Sequence, residues 1–196
     1  EIHIVPKQKK DLEWKDYCAA ILQTMAKALA KKGISIPPLN IIIDGREEYG
    51  GVPSGIGLSS SAALEVSLIK SLAETLGIEK EISAEEITDI CLNAEVALGF
   101  TCGIQDPWAS LMGGNYSARS FFQLFDCSPK EDANHKIIIE TELIKIPEEY
   151  SAYIINAGTK KKTAEKRNRH NIRVIEGEIC AFLIRALLLK EFTNGT

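Results

Sequence analysis

The sequence predicts a mixed helix-and-strand fold, α/β or α+β, made of one large domain or of one domain plus part of another. Three observations predict it. Several stretches repeat apolar residues every three or four positions, shorter apolar and aromatic runs stand between them, and no internal repeat or long linker breaks the order. With 196 residues, 45% hydrophobic and 26% charged, the chain has the make-up of a protein that buries a core. Its net charge of −4 gives neither nucleic acid nor an anionic membrane a reason to bind it. Small-molecule chemistry is the starting expectation.

The elements follow in order. Trp14, Cys18, Ile21, Leu22, Met25 and Leu29 recur at helical spacing and Gly33 stands where a left-handed terminator belongs, so a helix is expected over about 13 to 32. After Pro37 and Pro38, Leu39, Ile41 and Ile43 alternate as a strand does, leading into a glycine-rich loop from Gly45. Ser60 to Leu76 is rich in good helix formers and Gly77 is placed to end it. Ser83-Ala-Glu-Glu86 has capping-box spacing and opens a helix through about Leu98. A loop, Gly99 to Gln105, leads to Asp106 and to Pro107, which suits the first turn of a third helix. Strand-like runs follow at Phe121 to Phe125, Lys136 to Ile146 and Tyr153 to Asn156, and a long helical pattern runs from about Thr163 to Lys190.

Cys18, Cys91, Cys102, Cys127 and Cys180 are odd in number and widely spread, without a Cys-x-x-Cys pair. Reduced thiols are expected. No apolar run approaches the roughly 20 residues that span a bilayer, and the N-terminal residues lack a signal-peptide layout. The expectation is the interior of a longer cytoplasmic protein.

Chemistry concentrates in Gly51-Val-Pro-Ser-Gly-Ile-Gly-Leu-Ser-Ser-Ser-Ala-Ala-Leu-Glu65. Small residues let main-chain amides approach an anion closely, and the helix beginning at the serines offers unpaired N–H groups and the positive end of its dipole. Such a loop suits phosphate. It is neither a Walker A loop, since no Gly-Lys-Ser/Thr follows, nor a Gly-x-Gly-x-x-Gly fingerprint. An ordinary strand-to-helix loop with an N-cap serine also contains these residue types.

Pro53-Ser-Gly-Ile-Gly57-Leu-Ser-Ser60-Ser61-Ala62 resembles the phosphate-loop motif of the GHMP kinases, Pro-x-x-x-Gly-Leu-x-Ser-Ser-Ala, at every specified position. The run Ser59 to Val66 is similar to the galactokinase branch. What the resemblance implies is an ATP-binding loop of Gly55, Ile56, Gly57, Leu58, Ser59, Ser60 and Ser61, with the Ser61 hydroxyl on Mg2+. Hydroxyl and carboxylate oxygens suit that hard cation.

Downstream, Ala94-Glu95 and Cys102-Gly-Ile-Gln-Asp106 resemble the galactokinase Ala-Glu pair and its Cys-Gly-Ile-x-Asp-Gln segment. Taken without the family, Glu95 reads as a solvated helix residue and Asp106 as a helix cap. The resemblance instead makes Glu95 the second magnesium ligand, puts Gly103 against the sugar, and turns Asp106 toward the hydroxyl to be phosphorylated. Here the loop before Cys102 is about one residue shorter than the family's, and Pro107 replaces its Gln. Ile154-Ile-Asn156 resembles the strand before the family's Asn-x-Asn-Val segment, whose second Asn is absent here. His170-Asn171-Ile-Arg173 resembles the family's Tyr-Asn-x-Arg, with His170 in the place of a sugar-contacting tyrosine. A solvent-facing histidine in the basic run from Lys160 to Arg173 is the other reading of His170.

The fold implied is ribosomal protein S5 domain 2-like: an incomplete nucleotide-binding domain over 1–145, then over 146–196 the beginning of a ferredoxin-like α+β domain. The activity implied is transfer of the ATP γ-phosphoryl group to the anomeric hydroxyl of galactose. N-acetylgalactosamine, galacturonate or arabinose are alternative acceptors, and a galactokinase-like sensor of sugar and nucleotide that has lost catalysis is the alternative of another class. The family's Gly-Glu-His-x-Asp motif and its C-terminal glycine motif are not in this sequence, so this stretch alone is expected not to turn over.

Overall fold

The computed structural model describes residues 12–46, 48, 51–53, 57–113, 121–127, 130–131, 133, 137–147, 149–150, 153, 155 and 163–193, the side chains of 121, 131, 137, 163–167, 170 and 188–193 excepted. Among the described residues, five helices, α1 (Trp14–Ala30), α2 (Ser60–Leu76), α3 (Ala84–Ala97), α4 (Gln105–Gly113) and α5 (Thr163–Thr193), stand with four short strands. The mixture fits the α/β class. Strands β1 (Phe121–Phe125) and β4 (Thr141–Lys145) pair antiparallel with Gln123 opposite Leu143, and β2 (Lys130–Glu131) pairs with β3 (Ile137–Ile138) in the same sense.

The main core lies among the first four helices. Ile21, Met25 and Leu29 of α1 meet Val66, Ile69 and Leu72 of α2 and Ile87, Ile90 and Cys91 of α3, all buried. Each set recurs at three- and four-residue spacing, so each helix turns one stripe inward. A smaller cluster joins Ile104 and Trp108 to Ile139, and the Trp108 indole N–H donates to the Thr141 hydroxyl at 2.8 Å. That bond ties α4 to β4.

The helix ends show local sequence acting directly. Ser83 Oγ accepts from the Glu86 N–H at 3.3 Å while the Glu86 carboxylate accepts from the Ser83 N–H at 2.9 Å, completing the capping box. At the C-termini, Gly33, Gly77 and Gly99 all have positive φ, and the residue after each reaches back five positions: Ile34 to Leu29 O, Ile78 to Ala73 O and Phe100 to Glu95 O. A left-handed glycine followed by this return bond satisfies carbonyls that the helix leaves open.

Three expectations change. Residues 39 to 43 do not form a strand, although Leu39, Ile41 and Ile43 are about 40% exposed against 94% for Ile42. The alternation is there, but no described neighbour supplies a ladder, and an unpaired strand has nowhere to place its backbone groups. The run from 136 to 146 is two strands, broken where Ile139 turns into the Trp108 cluster. Residues 153 and 155 are outside any strand; the rest of that expected element, with Asn156, lies outside the described residues. Among the described residues, no helix is long and apolar enough to cross a membrane.

Candidate functional site

Helix α2 begins without the devices that close α1 and α3. The Ser59 side chain makes no cap bond, and no acidic residue sits in the first turn, whereas α3 has its capping box together with Glu85 and Glu86. The open amides and dipole end therefore keep their positive potential.

The approach to that helix is left-handed twice, at Gly57 (φ 84°) and Ser59 (φ 53°). Ser59 is the one non-glycine with positive φ among the described residues. An L-residue in this conformation costs about 1–2 kcal/mol, and such turns cup backbone N–H groups toward an anion. Leu58, Ser60 and Ser61 complete the described part of the loop, Ser60 and Ser61 half-buried and Leu58 exposed. Gly55 and Ile56 lie outside the described residues. At the loop's entrance Gly51 donates to Arg46 O at 3.1 Å, and a Cβ on Gly51 would stand 2.1 Å from Gly45 O. Only glycine fits there.

Glu65 was not singled out by sequence, yet it is the most unusual side chain nearby. Placed one helical turn after Ser61, it shares the face of Ala62, Val66 and Ile69 and is fully buried, with both carboxylate oxygens lacking a hydrogen-bond partner. Burial, with the neighbouring Glu95 charge added, pushes its carboxyl up to about 9. Its signal in the sequence was position: an acidic residue inside an apolar stripe.

Glu95, half-buried near the end of α3, hydrogen-bonds the Cys102 thiol. Burial raises that thiol's pKa first; the Glu95 bond and the charges of Glu95, Glu65 and Asp106 raise it further. Cys102 is thus an inert thiol in an acidic neighbourhood. Glu65, Glu95 and Asp106 are thus each near enough for their charges to act on Cys102.

Asp106 is exposed and sits inside the first turn of α4, which starts at Gln105; it is not the cap. The helix opens with Trp108 N–H donating to Ile104 O at 3.0 Å. Buried Pro107 and Trp108 anchor that turn while Asp106 points away from the core. Gly103 is exposed, with nothing within 4 Å of the place where a Cβ would stand. His170 belongs to α5, and its side chain lies outside the described residues.

Among the described residues no three His, Cys, Asp or Glu converge as a metal site. Magnesium does not need such a cage, since it is commonly held by one or two carboxylates plus phosphate oxygens and waters. Ser61 and Glu95, both half-buried, offer a hydroxyl and a carboxylate of that chemistry, whereas Glu65 is fully buried and neutral.

Residues 17–114, half of the chain, match the model of the GHMP kinases N terminal domain. The galactokinase of Thermosipho africanus is 35% identical over 111 residues, 56% of this chain and 28% of that protein. Galactokinases of Thermotoga neapolitana and Thermotoga maritima are 33% and 32% identical over 108 residues. The chain spans a little over a quarter of the length of these relatives. No solved structure matches it.

Proposed function

Because the chain belongs to the GHMP kinase family, through its N-terminal domain, we propose that it serves a galactokinase-type sugar kinase that moves the ATP γ-phosphoryl group to the anomeric hydroxyl of galactose. One observation carries the reading: the left-handed Gly57 and Ser59 deliver an uncapped, acid-free helix start inside the family match. Phosphoryl transfer asks chiefly for positioning and charge neutralisation, and this arrangement supplies both.

In this reading the amides of Gly55 to Ser61 hold the ATP phosphates. Ser61 and Glu95 hold Mg2+, which when bound neutralises charge on the transferring phosphates. Asp106, on the rigid first turn of α4, accepts the proton of the attacking sugar hydroxyl or orients it. Gly103 leaves room for the sugar, and His170 stands where the family's sugar-contacting tyrosine does. The residues from 146 onward begin a second α+β domain that completes the pocket.

The test is the full-length protein with ATP, magnesium and a panel of galactose, N-acetylgalactosamine, galacturonate and arabinose, the products separated as sugar phosphates. Galactose 1-phosphate is the expected product. Sugar binding without any sugar phosphate would overturn the kinase reading in favour of a sensor. Asp106→Asn is expected to lower turnover by about 10²–10⁴-fold with ATP binding retained; wild-type turnover in that variant removes Asp106 from the chemistry.

A further inference from the structure

The loop that carries Gly103 and leads into Asp106 is held by a side chain from some seventy residues downstream. The Asn171 amide nitrogen donates to Gly99 O at 3.0 Å, and its oxygen accepts from the Thr101 N–H at 3.1 Å. A carboxamide used at both ends on main-chain groups two residues apart fixes orientation as well as distance. No other uncharged side chain of that length supplies both a donor and an acceptor in one plane.

The same loop is fixed from its opposite side. Phe100 N–H returns to Glu95 O at 3.0 Å, the Phe100 ring lies 6.2 Å from that of Tyr17, and the Cys102 thiol bonds the Glu95 carboxylate. These contacts all come from α1 and α3. Asn171 is a contact from α5, half-buried beside the exposed Ile172 and Ile175.

We infer that Asn171 is a positioning residue: by clamping Gly99 and Thr101 to α5 it sets where Gly103 and Asp106 stand relative to the bound acceptor sugar. The inference rests on the kinase reading of Asp106, and it adds a residue that touches neither substrate. The clamp also joins the loop to the helix segment bearing His170.

Asn171→Ala and Asn171→Asp in the full-length protein test it, by amide hydrogen exchange and by steady-state kinetics with galactose and ATP. The alanine variant is expected to speed exchange of the 99–104 segment at least tenfold while the α2 and α3 segments stay protected. Misplacing a catalytic group by about 1 Å costs on the order of 10²-fold, so kcat should fall about 10–100-fold with KM for ATP unchanged. Asn171→Asp keeps an acceptor for the Thr101 N–H and loses the donor to Gly99 O, so it should retain Thr101 protection and an intermediate kcat. Unchanged loop exchange in Asn171→Ala overturns the clamp, and released exchange with full kcat overturns its role in positioning. A wild type that phosphorylates no sugar overturns the catalytic meaning together with the kinase reading, and the exchange data then tell that result apart from a failed clamp.

Discussion

Glu65 on α2 and Glu95 on α3 lie close enough that the Glu95 charge adds to burial in pushing the Glu65 carboxyl up to about 9. Glu65 is therefore protonated at neutral pH in the folded chain and ionised in the unfolded one. An acid whose folded pKa is raised from 4.5 to about 9 stabilises fully below the lower value. That contribution is lost as pH rises through the window between them.

The first prediction follows from that sign. Measured without magnesium by urea unfolding at pH 5, 7 and 9, stability should decline with pH by up to about 1.4 kcal/mol per unit. Glu65→Gln should remove most of that slope. A wild type that grows more stable from pH 5 to 9 would contradict the buried, unpaired carboxyl.

Glu95 offers a test of the cation site. Glu95→Gln keeps the shape and discards the charge, so the magnesium concentration giving half-maximal ATP binding should rise about 10–100-fold. Titration of nucleotide with and without magnesium reads this directly. An unaltered magnesium requirement would move the cation elsewhere.

At Ser59 the backbone is left-handed. Ser59→Gly should relieve strain and raise stability by about 1 kcal/mol, whereas Ser59→Val should lower it by at least as much and weaken ATP binding. Thermal unfolding and nucleotide titration of the pair check the claim. Equal behaviour of Gly and Val would mean that the conformation is not required.

The α3 capping box is the control for local structure. Ser83→Ala should cost about 1 kcal/mol, read from the urea midpoint, and leave nucleotide binding alone. Lys32 adds to this corner, where its ammonium meets the Glu86 carboxylate at 2.7 Å and donates to the Glu81 carbonyl.

What could be read from the residues was local in origin. The Ser83 and Glu86 box, the Gly77 terminator and the start of α2 at Ser60 each depend on side chains within one turn, and the structure has them where the spacing put them. Leu39 to Ile43 have the right alternation, but a strand also needs a paired neighbour, and the described residues supply none. The break at Ile139 and the reach of Asn171 to Gly99 are likewise long-range events that spacing does not encode. Glu65 was visible as a residue type and invisible as a problem until its neighbours were known. Ser61, Glu95 and Asp106 are proposed through a motif, since without it Glu95 reads as a solvated helix residue and Asp106 as a helix cap.

The Trp108 bond to Thr141 gives the protein a built-in optical reporter. The sequence has two tryptophans, of which Trp14 is 62% exposed and Trp108 is 3% exposed. A Trp14→Phe variant would leave one indole, in an apolar setting two residues from Asp106, emitting at short wavelength. Its colour and quenching then follow the first turn of α4 without any added dye.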